Sequence, residues 1–268
     1  MHRLLESLRN PEQAYPIVMV AGSVGKGSIA LEMARMLSAR GLRTGLYTSP
    51  HLHSFRERFA IEGRWIAPGA FASLADAVET ASRAISYRPA TFEAATALCY
   101  LWFRQESVDI AVCEIGLGGR YDAVNAAPNV LALLTPVEME HAAMLGGTLE
   151  SIAWHKAGIM RTAAPAISLP QHSTVRRVFT SEAAAIGSLL QFVDDDRSLI
   201  RSASQQPGLP RASASEPDPW PATLPGRMER FTRGNRIIWI DGAHTATAAR
   251  RLADRLISEG DLPTQVIA

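Results

Sequence analysis

Short unbroken apolar runs alternate along this chain with longer stretches of helical spacing. The run Ile17-Val18-Met19-Val20-Ala21 predicts a buried strand followed at once by a glycine-rich turn. A helix is predicted from about Ser28 to Arg40, with Ile29, Met33, Met36 and Leu37 on one face and Gly41 stopping it. Thr44 to Tyr47 reads as a short strand, Thr91 to Gln105 as an apolar helix and Asp109 to Glu114 as a second buried strand. Asn129 to Leu134 predicts a third, Leu149 to Ala157 a helix and Ala164 to Leu169 a fourth strand. Strands that are apolar on both sides and separated by helices predict a parallel sheet covered on both faces.

The character changes from Arg197 to Ala222, a stretch rich in Ser, Pro, Gln and Ala that carries Pro207, Pro210, Pro217, Pro219 and Pro221. Such a composition reads as a linker or long surface loop. Beyond it, Arg236 to Ile240 predicts a strand, Ala243 to Ile257 a helix, and Gln265 to Ala268 the start of another strand. The expected organisation is an α/β domain over 1–195, a Ser/Pro-rich linker over 196–223, and a partial second α/β domain over 224–268.

Composition narrows the function classes. A net charge of +1 offers no attraction to nucleic acid or an anionic membrane, and the N-terminal residues carry no long apolar stretch. Cys99 and Cys113 read as buried thiols rather than a disulfide framework. The expectation is a cytoplasmic protein without a membrane or nucleic-acid partner. Of 27 basic residues, only Lys26 and Lys156 are lysines. A coding bias accounts for most of the skew toward arginine, but not for which lysines remain. Arginine replaces neither a compact charge beside phosphate nor an amine that must lose its proton.

Lys26 stands in the turn Ala21-Gly22-Ser23-Val24-Gly25-Lys26-Gly27-Ser28, between a strand and a helix. Backbone N–H groups of such a turn and the helix dipole favour an anion. Lys26 would reach terminal phosphates, and the Ser28 hydroxyl would sit on Mg²⁺. The general phosphate-loop pattern sets Ser or Thr directly after Lys, whereas here Gly27 intervenes. A glycine-rich turn alone is also compatible, less often, with a tight turn that holds nothing; the lone lysine strengthens the phosphate reading. Glu114 ends a predicted strand, where ligands of open α/β sheets collect, and its carboxylate suits a hard cation. The competing reading is a salt-bridged carboxylate.

The variant Gly-x-x-Gly-Lys-Gly-Ser is similar to that of the folylpolyglutamate and dihydrofolate synthases, within the Mur ligase superfamily. The resemblance continues in order through Leu46-Tyr47-Thr48-Ser49-Pro50-His51-Leu52, Phe55-x-Glu57-Arg58, Thr91-Phe92-Glu93 and the block from Glu114 to Asn125. It resumes at Glu140-His141, Leu145-Gly146, His155 to Ile159, Leu224 to Glu229 and Asp241-Gly242-Ala243-His244. It implies a Mur ligase central domain followed by an incomplete Rossmann-like C-terminal domain. It also implies an ATP- and Mg²⁺-dependent ligase of folate biosynthesis and one-carbon metabolism, a monomer. Such an enzyme activates a folate- or dihydropteroate-type carboxylate as an acyl phosphate and joins it to the amine of L-glutamate.

By this resemblance Gly22, Ser23, Gly25, Lys26, Gly27 and Ser28 bind nucleotide, joined by Arg227, Asp241 and His244 from the second domain. Ser28, Glu114, His141 and Lys156 hold metal, Lys156 as a carbamate. Lys26, Lys156 and His141 are the catalytic set, and Ser49, His51, Thr91, Phe92 and Asp122 meet the carboxylate substrate. The chain departs from the family pattern where Val24 replaces Asn and Thr245-Ala246 replaces Asn-Pro, and where a His-Gln-x-x-Asn helix is absent. Most of the family's C-terminal domain is absent too. A nucleotide-binding module without catalysis, or a Mur-type ligase for another carboxylate, are the alternatives.

Overall fold

The computed structural model describes residues 1–210, 220–234, 236–243 and 245–260. Two compact units divide the chain, Met1–Pro221 and Ala222–Ala268.

In the first unit the elements run α1 (His2–Ser7), β1 (Ile17–Ala21), α2 (Lys26–Ser38), β2 (Thr44–Tyr47), β3 (Phe59–Ile61), β4 (Arg64–Trp65), α3 (Pro68–Ala84), α4 (Thr91–Gln105) and β5 (Ile110–Glu114). They continue with β6 (Leu131–Leu134), α5 (Leu149–Ala157), β7 (Pro165–Ser168), α6 (Ser173–Ile186), β8 (Leu189–Phe192) and α7 (Asp196–Ser204). One eight-stranded sheet has the order β4-β3-β2-β5-β1-β6-β7-β8. Its six strands from β2 to β8 are parallel, and β3 and β4 add antiparallel at one edge. Every residue of β1, β2, β5 and β6 is buried, which is why those runs carry no polar alternation.

Helices cover both faces, as expected. Ile17, Met19 and Ala21 join Tyr47, Cys113 and Leu134 in one core with side chains of α4, α5 and α6. On the other face α2 packs on β1, β2 and β5, while α7 packs on β6, β7 and α2. Register brings the strand ends together: Val20 pairs with Glu114, and Ala21 with Leu134. The carboxyl ends of β1, β2, β5 and β6 therefore form one edge.

Two expectations change. The helix expected from Ser28, α2, starts at Lys26, because Gly25 at φ 82° turns the chain directly into it. The stretch read as linker from 196 begins as a helix: Asp195 caps α7 by accepting the Ser198 N–H, and Leu199 and Ala203 are fully buried. Further on, the Trp220 indole donates to Ser38 Oγ at 2.7 Å. Composition misread this stretch because only two of the nine α7 side chains face the core. No helix among the described residues is long and apolar enough to cross a membrane.

In the second unit, β9 (Glu229–Arg233) and β10 (Arg236–Ile240) form an antiparallel hairpin, followed by α8 (Ala246–Glu259). Thr245 caps α8 by accepting the Ala248 N–H. The strand predicted over Gln265–Ala268 lies outside the described residues.

Candidate active site

The turn after β1 needs a residue without a side chain at its first position. Gly22 has φ 150° and lies against Thr135, whose carbonyl oxygen would be 2.8 Å from an added Cβ. The α2 ladder begins with Ile29 N–H donating to Gly25 O at 3.0 Å. The N–H groups of Lys26, Gly27 and Ser28 therefore have no acceptor within the helix, and they form its positive pole.

Not all of the turn points that way. The Ser23 and Val24 N–H groups donate to Pro136 O at 2.8 and 3.3 Å. Ser23 Oγ accepts from Glu138 N at 3.1 Å and lies 3.4 Å from Glu138 O. The expectation that the whole turn converges on an anion is corrected for Ser23. Thr135 N–H bonds Ala21 O one step past the strand, which carries the Pro136 carbonyl beneath the turn.

Lys26 Nζ donates to Ser23 O at 3.3 Å, folded over its own loop. Lys156, on the last turn of α5, is 3% exposed and donates to Gly22 O at 2.6 Å. Its helix is held there by the segment after β5, where Arg120 N–H donates to His155 O at 2.7 Å. Gly119, at φ 157°, permits this approach, since an added Cβ would be 2.6 Å from the His155 carbonyl oxygen. Burial first, and then the charge of Lys26, lower the Lys156 amine to about 7, against the opposing pull of Glu140 and Asp122. At that value an appreciable part of the amine is uncharged at neutral pH.

Glu114 ends β5, is 3% exposed, and accepts the Ser49 N–H at 3.0 Å. His51 accepts from Arg58 Nε through Nδ1 at 3.0 Å and lies beside Phe55. Glu57 gathers the N–H groups of Leu52, His53 and Ser54 and so fixes this loop. Phe92, in the first turn of α4, covers Gly116 and packs on Tyr47 with ring centroids 6.0 Å apart. Thr91 begins the same helix and is exposed. Asp122 faces inward: its two oxygens accept from Leu117 N at 2.8 Å and Val124 N at 2.9 Å. Burial raises its pKa, opposed by those bonds and by Lys26. In this structure Asp122 shapes the loop after β5. His141, at φ 52°, is half exposed and lies 3.6 Å from Glu140.

In the second unit, Asp241 Oδ2 accepts the Met228 N–H at 2.8 Å, and Arg227 packs against Gly242. His244 lies outside the described residues.

Among the described residues no group of three or more His, Cys, Asp or Glu side chains could hold a metal ion. The predicted donors still suit Mg²⁺, which takes one or two protein carboxylates and completes its shell with phosphate and water. Lys156 fits as an oxygen donor only as a carbamate, which the uncharged amine alone can form. Gln171 escaped the sequence reading. It follows β7, and a polar residue just past a parallel strand's carboxyl end was the available signal. A cavity of about 560 Å³ is lined by His2, Glu6, Asn10, Glu12, Asn125 and Arg161 among others, and by none of the predicted site residues.

The sheet, the turn and the lysine pair define a phosphate-loop α/β protein with the central-domain fold of the Mur ligases. No protein-family model matches the chain. It is 37% identical over 204 residues to the folylpolyglutamate synthase of Lacticaseibacillus casei, covering 74% of this chain and 48% of that relative. The dihydrofolate synthase/folylpolyglutamate synthase of Bacillus subtilis is 27% identical over 308 residues, covering 96% of this chain and 71% of the relative. A solved structure described as an FPGS–AMPPCP–folate complex superposes with a TM-score of 0.82 at 28% identity, over 98% of this chain and 75% of the other. The chain is similar throughout to folylpolyglutamate and dihydrofolate synthases, and it spans about half the length of the L. casei relative.

Proposed function

We propose that this protein joins a folate- or dihydropteroate-type carboxylate to the amine of L-glutamate at the expense of ATP. The observation that carries the reading is Lys156, a buried amine lowered to about 7 that lies 2.6 Å from the phosphate-loop carbonyl of Gly22. Structural lysines do not need such a place. A lysine that reacts with CO₂ does, because only the neutral amine attacks, and the product is a carboxylate-like metal ligand. Ser28, Glu114, His141 and carbamylated Lys156 would hold Mg²⁺, which supplies charge neutralisation between phosphate oxygens when bound.

The substrate carboxylate takes the terminal phosphoryl group and ADP leaves. The glutamate amine then attacks the acyl carbon, and phosphate departs. Lys26 and the N–H groups of Lys26, Gly27 and Ser28 neutralise charge on the transferring group, while Ser49, His51, Thr91 and Phe92 orient the acceptor. The solved complex with AMPPCP and folate supports a nucleotide and a pterin-bearing carboxylate as ligands. A cytoplasmic monomer is the accompanying reading; the two free buried cysteines are in keeping with a reducing compartment.

Phosphate release is the decisive assay. It should require a folate or dihydropteroate together with glutamate, and Lys156→Arg should abolish it. Full activity in Lys156→Arg, with no carbamate on the parent, refutes the role given to Lys156. A rise in melting temperature with Mg·ATP but no turnover with any carboxylate favours a nucleotide-binding module instead. One observation leans that way: Val24 stands where the family has Asn, and its N–H is committed to Pro136 O.

A further inference from the structure

The segment Thr135–Glu138 leaves β6 and leads to Glu140 and His141. Its backbone is held from two sides in alternation. Pro136 O and the Glu138 N–H meet Ser23 of the phosphate loop, at 2.8 and 3.1 Å. The other two residues meet a side chain that no function yet claims. Gln171 Oε1 accepts the Val137 N–H at 3.0 Å, and Gln171 Nε2 donates to Thr135 O at 3.0 Å. The same Nε2 lies 3.2 Å from Ser168 Oγ, at the end of β7.

We propose that Gln171 is a positioning residue, an amide standing in for the neighbouring strand that Thr135–Glu138 has outrun. Its orientation is forced, since the Val137 N–H requires an oxygen and Thr135 O requires a donor. A backbone pair that would otherwise be left to water is thereby fixed against β7. With Ser23 opposite, the segment is clamped between the phosphate loop and the β7 end. Glu140 N–H then bonds Glu138 O at 2.8 Å, and Met144 and Leu145 N–H bond His141 O, so the clamp sets where Glu140 and His141 stand. Neither Ser23 nor Gln171 need touch the nucleotide for this.

The proposal rests on the ligase reading only for its consequence, placement of the His141 loop for Mg²⁺ and phosphate. Gln171→Met keeps the side-chain length and removes both bonds. Amide hydrogen exchange at Val137 and Glu138 should accelerate at least tenfold in that variant. The Mg²⁺ concentration that half-saturates AMPPCP binding should rise several-fold, while the thermal midpoint falls little. Gln171→Glu keeps the acceptor and loses the donor; it should sit between parent and Gln171→Met, and it serves if the latter does not fold. Ser23→Ala combined with Gln171→Met should show less than the product of the single effects, because both act on one segment. Unchanged exchange at Val137 and Glu138 overturns the clamp. Faster exchange with unchanged Mg²⁺ dependence overturns its role at the site. If AMPPCP does not bind the parent, the ligase reading fails, and the exchange result still decides the clamp.

Discussion

Replacing Lys156 by Met should make the protein more stable and inactive, with a stability gain that shrinks as pH rises. In the folded protein the amine titrates at about 7, against an ordinary value of 10.5. Between these values the unfolded chain binds more protons than the folded one, so stability rises with pH through that window. At about 1.4 kcal/mol per pH unit, the folded state carries a penalty of about 5 kcal/mol at pH 6. By pH 9 about 2 kcal/mol remains, so the parent should gain about 2.5 kcal/mol from pH 6 to 9 on this account alone. Met removes the penalty but leaves Gly22 O without its donor, a loss of about 1–3 kcal/mol. The variant should therefore be clearly more stable at pH 6 and about equal at pH 9. Urea unfolding of both proteins across pH 6 to 9, in buffer purged of CO₂, isolates this term as their difference. Adding ¹³C-bicarbonate should then produce a carbamate resonance in the parent alone. Parallel stability curves for the two proteins would refute the reasoning, because the depressed amine would then be titrating elsewhere or not at all.

Three further outcomes follow from other parts of the molecule. Leu199→Ala should destabilise the whole first unit by about 2–5 kcal/mol, and Asp195→Ala by a smaller amount, measured by urea unfolding, since α7 is packed structure and not linker. Gly116→Ala should push Phe92 away from the turn after β5, with a stability loss of about 1–3 kcal/mol and weaker binding of a folate, read by calorimetry. At Glu57, burial alone would raise the carboxyl, but the Leu52, Ser54 and His53 N–H groups outweigh it and hold the pKa below 4.5. A depressed carboxyl stabilises above its unfolded value and loses that contribution as pH falls through the folded one. Glu57→Gln should therefore lower the melting temperature at pH 7 and flatten its fall below pH 4.5, as followed by circular dichroism.

Strands and helices that commit most of their residues to the core were legible. The runs read as Ile17–Ala21, Thr44–Tyr47 and Thr91–Gln105 carry their burial in their composition, and the structure gives them the same bounds, as it does Leu149–Ala157, where four of nine residues are buried. The helix α7 was not legible, because Leu199 and Ala203 matter only once α7 is packed on β6, β7 and α2, and the surrounding Ser and Gln mask them. The residue types of the site could be read, but the direction of single N–H groups could not. That Ser23 and Val24 turn to Pro136 depends on how far β6 runs past its neighbour, a property of register between strands more than 100 residues apart. Gln171 was hidden for the same reason.

The two lysines show where composition and geometry meet. Each was singled out by chemistry that arginine cannot perform, and the structure couples them: Lys26 helps to lower Lys156. Their mutual repulsion is relieved if one gives up its charge or if an anion comes between them. A neutral Lys156 is the form that takes CO₂, whereas a phosphate beside it would favour the protonated form. Carbamylation and nucleotide binding therefore compete for the state of this one amine. The nucleotide-free loop, where burial and Lys26 lower the amine to about 7, is therefore the state that favours carbamylation.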